Sequence, residues 1–144
     1  MKLEIPQQKK LIFESTIPIR WGDMDAMGHV NNTAYFRYME QARVEWFEAL
    51  GYFVRPAQQS IVIANASCTF RIPLSYPGIV EVRMYALAPG RSSVTSHYEL
   101  RREGEPGLIA EGAARIVWID GASGRPIPMP GKVRALIAVR EGRS

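Results

Sequence analysis

Residues 20–35 read Arg20-Trp21-Gly22-Asp23-Met24-Asp25-Ala26-Met27-Gly28-His29-Val30-Asn31-Asn32-Thr33-Ala34-Tyr35. A strand-like run ends where this stretch starts, and a long amphipathic helix starts where it ends. Upstream, Ile12, Glu14 and Thr16 alternate with Phe13, Ser15, Ile17 and Ile19. That period of two predicts a strand over Leu11 to Arg20, with Pro18 marking a sheet edge or its end. Downstream, Tyr35, Tyr38, Met39, Ala42, Trp46 and Leu50 recur at three- and four-residue spacing, with Phe36, Val44 and Phe47 widening the apolar face. That spacing predicts a helix over Thr33 to Leu50. Asn31 or Asn32 suits its N-cap, and Gly51 suits the C′ position. A helix this aromatic should lie deep, wrapped by a sheet.

Most of the remaining chain is strand-like. A connection from Phe53 to Gln59 contains Pro56, and Ser60 to Leu74 is rich in β-branched and small residues. Ser75-Tyr76-Pro77-Gly78 has turn chemistry. Strands are expected over Ile79 to Ala88, Ser92 to Arg102 and Leu108 to Ile119, separated by Pro89-Gly90 and by Glu103 to Gly107. Pro130 to Val139 reads as a short C-terminal helix with Pro130 near its first position. The order is β, long α, then four β strands joined largely by short turns. This is an α+β arrangement in which one antiparallel sheet curls around a central helix. An open sheet has edges, and edges invite pairing, so an oligomer is expected.

Length and composition fit this reading. The 144 residues suit a single domain, 1–144, with 1–9 as a loose polar lead-in. Hydrophobic residues make up 47% and charged residues 22%, the balance of an ordinary soluble domain. No apolar run approaches the roughly 20 residues that span a bilayer. Met1-Lys2-Leu3-Glu4-Ile5 is too short and too acidic for a signal peptide, so a cytoplasmic location is expected. The single cysteine, Cys68, rules out an intrachain disulfide and reads as a small core residue. The net charge of +4 modestly favours anionic partners, phosphorylated small molecules among them. No helix-turn-helix, zinc-finger or RNA-recognition signature accompanies it, so no nucleic-acid partner is expected.

The junction carries the chemistry. A helix N-terminus presents unpaired N–H groups and a positive dipole end, which suit an anion or a developing oxyanion. A carboxylate or imidazole beside such donors is a minimal kit for attacking a polarised carbonyl. By itself, an aspartate in a glycine-containing turn before a helix is more often a capping residue than a catalyst. Asp23 reads as scaffolding that hydrogen-bonds the loop. Asp23, Asp25 and His29 lack the spacing of a recognised metal site, and no cofactor is expected. Glu40 reads as one partner of a solvated or interface salt bridge with Arg37 or Arg43. Tyr35, Phe36, Tyr38 and Trp46 read mostly as core, with Tyr35 and Tyr38 near the helix start also placed to line a pocket.

The segment Trp21 to Tyr35, followed by Met39-Glu40-Gln41-Ala42-Arg43, resembles the hotdog-fold acyl-CoA thioesterases, and within them the 4-hydroxybenzoyl-CoA thioesterase group. The likeness extends from about Phe13 to Ile119 and includes Phe70-Arg71-Ile72-Pro73. It implies a hotdog fold, a five-stranded antiparallel sheet around one long helix. It further implies a homodimer joined edge to edge or a homotetramer, with active sites between subunits and an acyl-CoA substrate. Matched residue by residue, Asp25 takes the place of the family's catalytic carboxylate, as general base or nucleophile. Asn32 supplies the main-chain N–H that polarises the thioester carbonyl, and Arg91 is the nearest match to a basic position that holds CoA phosphates. Plant acyl-carrier-protein thioesterases carry a similar Asp-x-Asn-x-His-Val-Asn-Asn segment in which acid, asparagine and histidine act together. Here Asp25 and His29 are kept, while Met27 replaces that asparagine, so His29 stands as a supporting candidate. Two rival readings are a hotdog enoyl-CoA hydratase or dehydratase, whose Asn-Pro pair is absent, and a non-catalytic acyl-CoA-binding protein. The acyl group, and CoA against acyl carrier protein, stay open.

Overall fold

The computed structural model describes residues 9–51 and 59–138. The lead-in, most of the Phe53–Gln59 connection with Pro56, and the chain end from Val139 lie outside the described residues. The elements are β1 (Lys10–Pro18), a 3-10 turn (Trp21–Asp23), α1 (Asn32–Ala49), β2 (Gln59–Phe70), β3 (Ile79–Leu87), β4 (Ser93–Arg102), β5 (Leu108–Asp120) and α2 (Gly131–Ile137). The five strands form one antiparallel sheet in the order β1-β3-β4-β5-β2. It curls around α1, as the hydrophobic pattern requires.

Asn31 caps α1, its side-chain oxygen accepting from the Thr33 N–H at 2.9 Å. That bond satisfies one of the first-turn donors. Beyond the helix, Gly51 sits at φ +81° and its N–H returns to the Glu48 carbonyl. The sheet-facing side of α1 buries Tyr35, Tyr38, Met39, Ala42, Trp46 and Phe47 against Val82, Met84, Tyr98, Ile116 and Trp118. Each large apolar side chain removed from water in this way contributes about 1.5–3 kcal/mol. The helix can come this close because β5 has Gly112 beneath Met39. A Cβ at that position would lie 2.3 Å from Met39 Sδ and 2.9 Å from the Ser67 carbonyl oxygen.

The largest difference from the expected boundaries is at the end of β2. β2 ends at Phe70 rather than running on to Leu74. Pro73 has no N–H to continue a ladder, and the Leu74 carbonyl is taken by the Val30 N–H at 2.7 Å. The chain leaves the sheet there because it is tied to the β1–α1 junction.

Candidate active site

The junction folds back on itself as a small hairpin. Met24 and Val30 form an isolated antiparallel bridge. Between them the Asp25 N–H donates to the His29 carbonyl at 2.7 Å, and the Gly28 N–H donates to the Asp25 carbonyl at 3.1 Å. Gly28 has φ +80°, a conformation that glycine adopts without a Cβ penalty. Asp25 Oδ1 accepts from the main-chain N–H groups of Met27 at 2.8 Å and His29 at 3.3 Å. The carboxylate therefore caps its own turn, as a turn aspartate commonly does. Its second oxygen, Oδ2, has no partner among the described residues, and the residue is exposed.

Asn32 opens α1, one residue after the cap. Its own N–H has no acceptor among the described residues, since the Asn31 side chain serves Thr33 instead. A carboxylate oxygen and a helix-end N–H thus stand free on one loop. His29 takes part through its main chain, and its exposed imidazole makes no hydrogen bond with Asp25.

Asp23 is the loop's anchor, as its scaffolding role predicts. Its Oδ2 accepts from the Tyr38 hydroxyl at 2.8 Å and the Arg20 N–H at 2.9 Å, and its carbonyl accepts from the Asn31 N–H at 2.8 Å. One side chain thereby joins the end of β1, the loop and the second turn of α1. Burial, reinforced by this bond to Asp23, pushes the Tyr38 hydroxyl well above its ordinary pKa, so it remains a donor.

A second brace comes from residues that the sequence reading left as a simple turn. Ser75 Oγ donates to the Gly28 carbonyl at 2.8 Å. Arg102, at the end of β4, donates through Nη1 to the Ser75 carbonyl at 3.0 Å and through Nη2 to the Pro77 carbonyl. Gly78 makes room for that guanidinium, since a Cβ there would lie 2.8 Å from it. The Ser-Tyr-Pro-Gly motif marked a turn. No local pattern tied that turn to a loop 47 residues earlier.

The other candidates are placed apart. Tyr35 is buried, its ring edge-on to Phe70 with centroids 5.0 Å apart, and burial, then Cys68, raises its hydroxyl pKa. Phe70 is 40% exposed, so it is the outer member of that pair. Burial pushes the Cys68 thiol up to about 11, which keeps it protonated at neutral pH. Arg91 is exposed in the β3–β4 turn, at the opposite end of the sheet from Asp25. β3 begins beside Pro18 and runs nine residues away from the junction, roughly 26–30 Å at strand rise. A single protomer does not bring Arg91 and Asp25 together. Within one protomer Glu40 forms no ion pair with Arg37 or Arg43.

A cavity of about 540 Å³ lies between β1, the 3-10 turn and α1, walled by Arg20, Asp23, Arg37, Tyr38, Glu40 and Glu45 among others. Asp25 is not part of its wall, so the geometry of the junction rather than this cavity defines the site. Among the described residues, no group of three or more His, Cys, Asp or Glu side chains could hold a metal ion. No described helix is long and apolar enough to cross a membrane.

Comparison with known proteins agrees with the fold. The family model of the thioesterase-like superfamily matches residues 19–137. The PA2801 protein of Pseudomonas aeruginosa, provisionally called a thioesterase, superposes with a TM-score of 0.86 at 42% identity, covering 90% of this chain and all of that one. The XC229 protein of Xanthomonas campestris, provisionally called an acyl-CoA thioesterase, gives 0.75 at 30% identity over 83% of this chain and all of that one. Bacillus subtilis YsmA, named as uncharacterised, is 32% identical over 119 residues, 80% of this chain and 78% of its own length. A five-stranded antiparallel sheet around one long helix is the fold of the hotdog thioester hydrolases. The chain belongs to the thioesterase-like superfamily.

Proposed function

We propose that the protein hydrolyses an acyl-CoA thioester to a free carboxylic acid and CoA, with Asp25 as general base or nucleophile. One observation carries this reading: among the described residues, Asp25 Oδ2 and the Asn32 N–H are both unpartnered on one braced loop. The thioester carbonyl oxygen accepts from the Asn32 N–H, and the charge that grows on it is held by that donor and the helix end. As base, Asp25 takes a proton from water while the hydroxide bonds to the carbonyl carbon. Collapse of the intermediate breaks the C–S bond, and the CoA thiolate recovers the proton. As nucleophile, an Asp25 carboxylate oxygen bonds to the carbonyl carbon and the C–S bond breaks, so CoA thiolate leaves and an acyl-aspartyl anhydride forms. Water then opens the anhydride to the free acid and the Asp25 carboxylate, and the proton released goes to the thiolate. Loss of one oxyanion donor typically costs about 2.7–4 kcal/mol, so the helix head matters as much as the acid.

The reading includes a homodimer formed through β2. That strand is an open edge, and antiparallel pairing with a second copy sets the Gln59 end of one β2 beside the Phe70 end of the other. Arg91 of one copy then comes to the same end as Asp25 of the other, where it can hold the CoA phosphates. Tyr35 and Phe70 face the acyl chain near that junction.

The deciding experiment is thiol release from a panel of acyl-CoAs by wild type and Asp25→Asn. Asparagine keeps an oxygen for the Met27 N–H, so the turn survives and only the acid is lost. Turnover should fall by about 10²–10⁴-fold. A mutant that turns over at the wild-type rate removes Asp25 from the mechanism.

A further inference from the structure

The turn between β3 and β4 keeps its acceptors occupied and leaves its donors free. The Gly90 carbonyl accepts from Arg134 Nη2 at 2.6 Å. The Arg91 carbonyl accepts from the same nitrogen at 3.1 Å and from the Met129 N–H at 2.8 Å. The Ser92 carbonyl accepts from the Trp118 N–H at 2.8 Å. Three consecutive carbonyls are therefore taken by β5, α2 and the segment between them. The N–H groups of Arg91 and Ser92, by contrast, have no acceptor among the described residues. The exposed Arg91 side chain has neither a hydrogen bond nor an ion pair among them.

α2 is seated firmly enough to hold that turn. Met129, Val133 and Ile137 are buried in the core. Lys132 Nζ donates to the Leu50 carbonyl at 3.0 Å, and Lys10 Nζ donates to the Ala138 carbonyl at 3.4 Å. Exposed Arg134 lays its guanidinium on the turn, and no carboxylate among the described residues pairs with it. Ala88, where the chain leaves β3, has φ +50°. A residue with a Cβ holds that left-handed conformation only where its surroundings fix it. Two guanidinium groups without carboxylates, and free N–H groups on successive residues, suit an anion with several oxygens.

We propose that Arg134 is a positioning residue for phosphate binding, holding the Gly90 and Arg91 carbonyls so that the Arg91 side chain and the two N–H groups meet the phosphates of CoA. The Gly90 carbonyl has no other partner among the described residues. Without Arg134 it is free to turn its negative end toward the anion, which repels the phosphate and loosens the turn that carries Arg91. The inference deepens the acyl-CoA reading above and rests on it for the identity of the ligand. All of the groups it uses lie in one protomer, so it does not depend on where a second copy docks.

Calorimetric titration of the full chain with free CoA and with pantetheine, which lacks every phosphate, tests this without turnover. Wild type should bind CoA at least about tenfold more tightly than pantetheine, the scale of one hydrogen bond to a charged group. Arg134→Ala and Arg91→Ala should each lower that preference about tenfold. In Arg91→Ala/Arg134→Ala the loss should fall well short of the product of the single losses, because Arg134 acts through Arg91. If Arg134→Ala does not fold, Arg134→Gln takes its place with the same outcomes. A wild-type chain with no preference for CoA overturns the inference. So does an Arg134 variant that keeps the wild-type preference or weakens both ligands alike, or a double mutant whose losses multiply in full. Failure to release thiol from any acyl-CoA, with the CoA preference responding as stated, sinks the thioesterase reading alone. Normal turnover with a preference indifferent to Arg134 sinks this inference alone.

Discussion

The two edge strands of this sheet are built to opposite rules. β1 has nine residues, Pro18 at its end, and charges at Lys10 and Glu14, the latter 3.1 Å from Arg83. Both edge strands carry a register shift, so the contrast rests on proline and charge, the usual protection of an edge. β2 has twelve residues with no charge and no proline, and Val62, Ile63 and Phe70 are exposed along it. One edge is closed to pairing and the other is open. The difference teaches where a second copy would dock, and the proposed site needs that copy, because Arg91 and Asp25 lie at opposite ends of each protomer.

The strongest way to break this contrast is to give β2 the protection that β1 has. Val62→Lys/Ile63→Lys should yield a folded monomer by light scattering and reduce acyl-CoA turnover by at least about a hundredfold, the scale of a lost catalytic group. Lysines at Leu11 and Thr16 on β1 should change neither measurement. Equal effects at both edges would end the argument.

A smaller effect is expected between the edge and the helix. Gly112→Ala pushes its new Cβ toward Met39 Sδ and the Ser67 carbonyl, so it strains α1 and β2 together. Urea denaturation should show a loss of about 1–3 kcal/mol, the range for overpacking a core. Ser75→Ala removes the bond to the Gly28 carbonyl. It should cost about 0.5–1.5 kcal/mol and lower kcat more than it raises KM, since the brace holds the loop and binds no substrate.

The smallest effect is a pH slope at the centre of the sheet. His97 on β4 is 1% exposed, and neither ring nitrogen has a hydrogen-bond partner among the described residues. Burial, then the charge of Lys9, lowers its pKa below the ordinary 6.5, against the opposing pull of Glu111 and Glu99. As pH falls, the unfolded chain therefore takes up the proton first. Stability is full above about 6.5 and declines as pH falls from there through the folded pKa. His97→Gln should flatten that decline in thermal melts recorded between pH 7 and 5, and an unchanged slope would place its origin elsewhere.

How far the chain could be read depended on the range of the interactions. The periodicity of Tyr35 to Leu50 marked α1 within a residue at each end, because a helix is set by neighbours three and four apart. The Asn31 cap and the Gly28 turn were legible for the same reason. The end of β2 was not, because Leu74 is held by Val30 from 44 residues away.

Local chemistry was enough to place an acid, a free N–H and a glycine turn at the head of a buried helix, since all three lie within eight residues. Only the folded sheet showed that Arg102 and Ser75 brace that turn, that Arg91 sits at the far end from Asp25, and that one edge is open. Those facts depend on which strands are neighbours, and strand order is chosen by long-range burial of apolar faces around α1 rather than by any local run of residues.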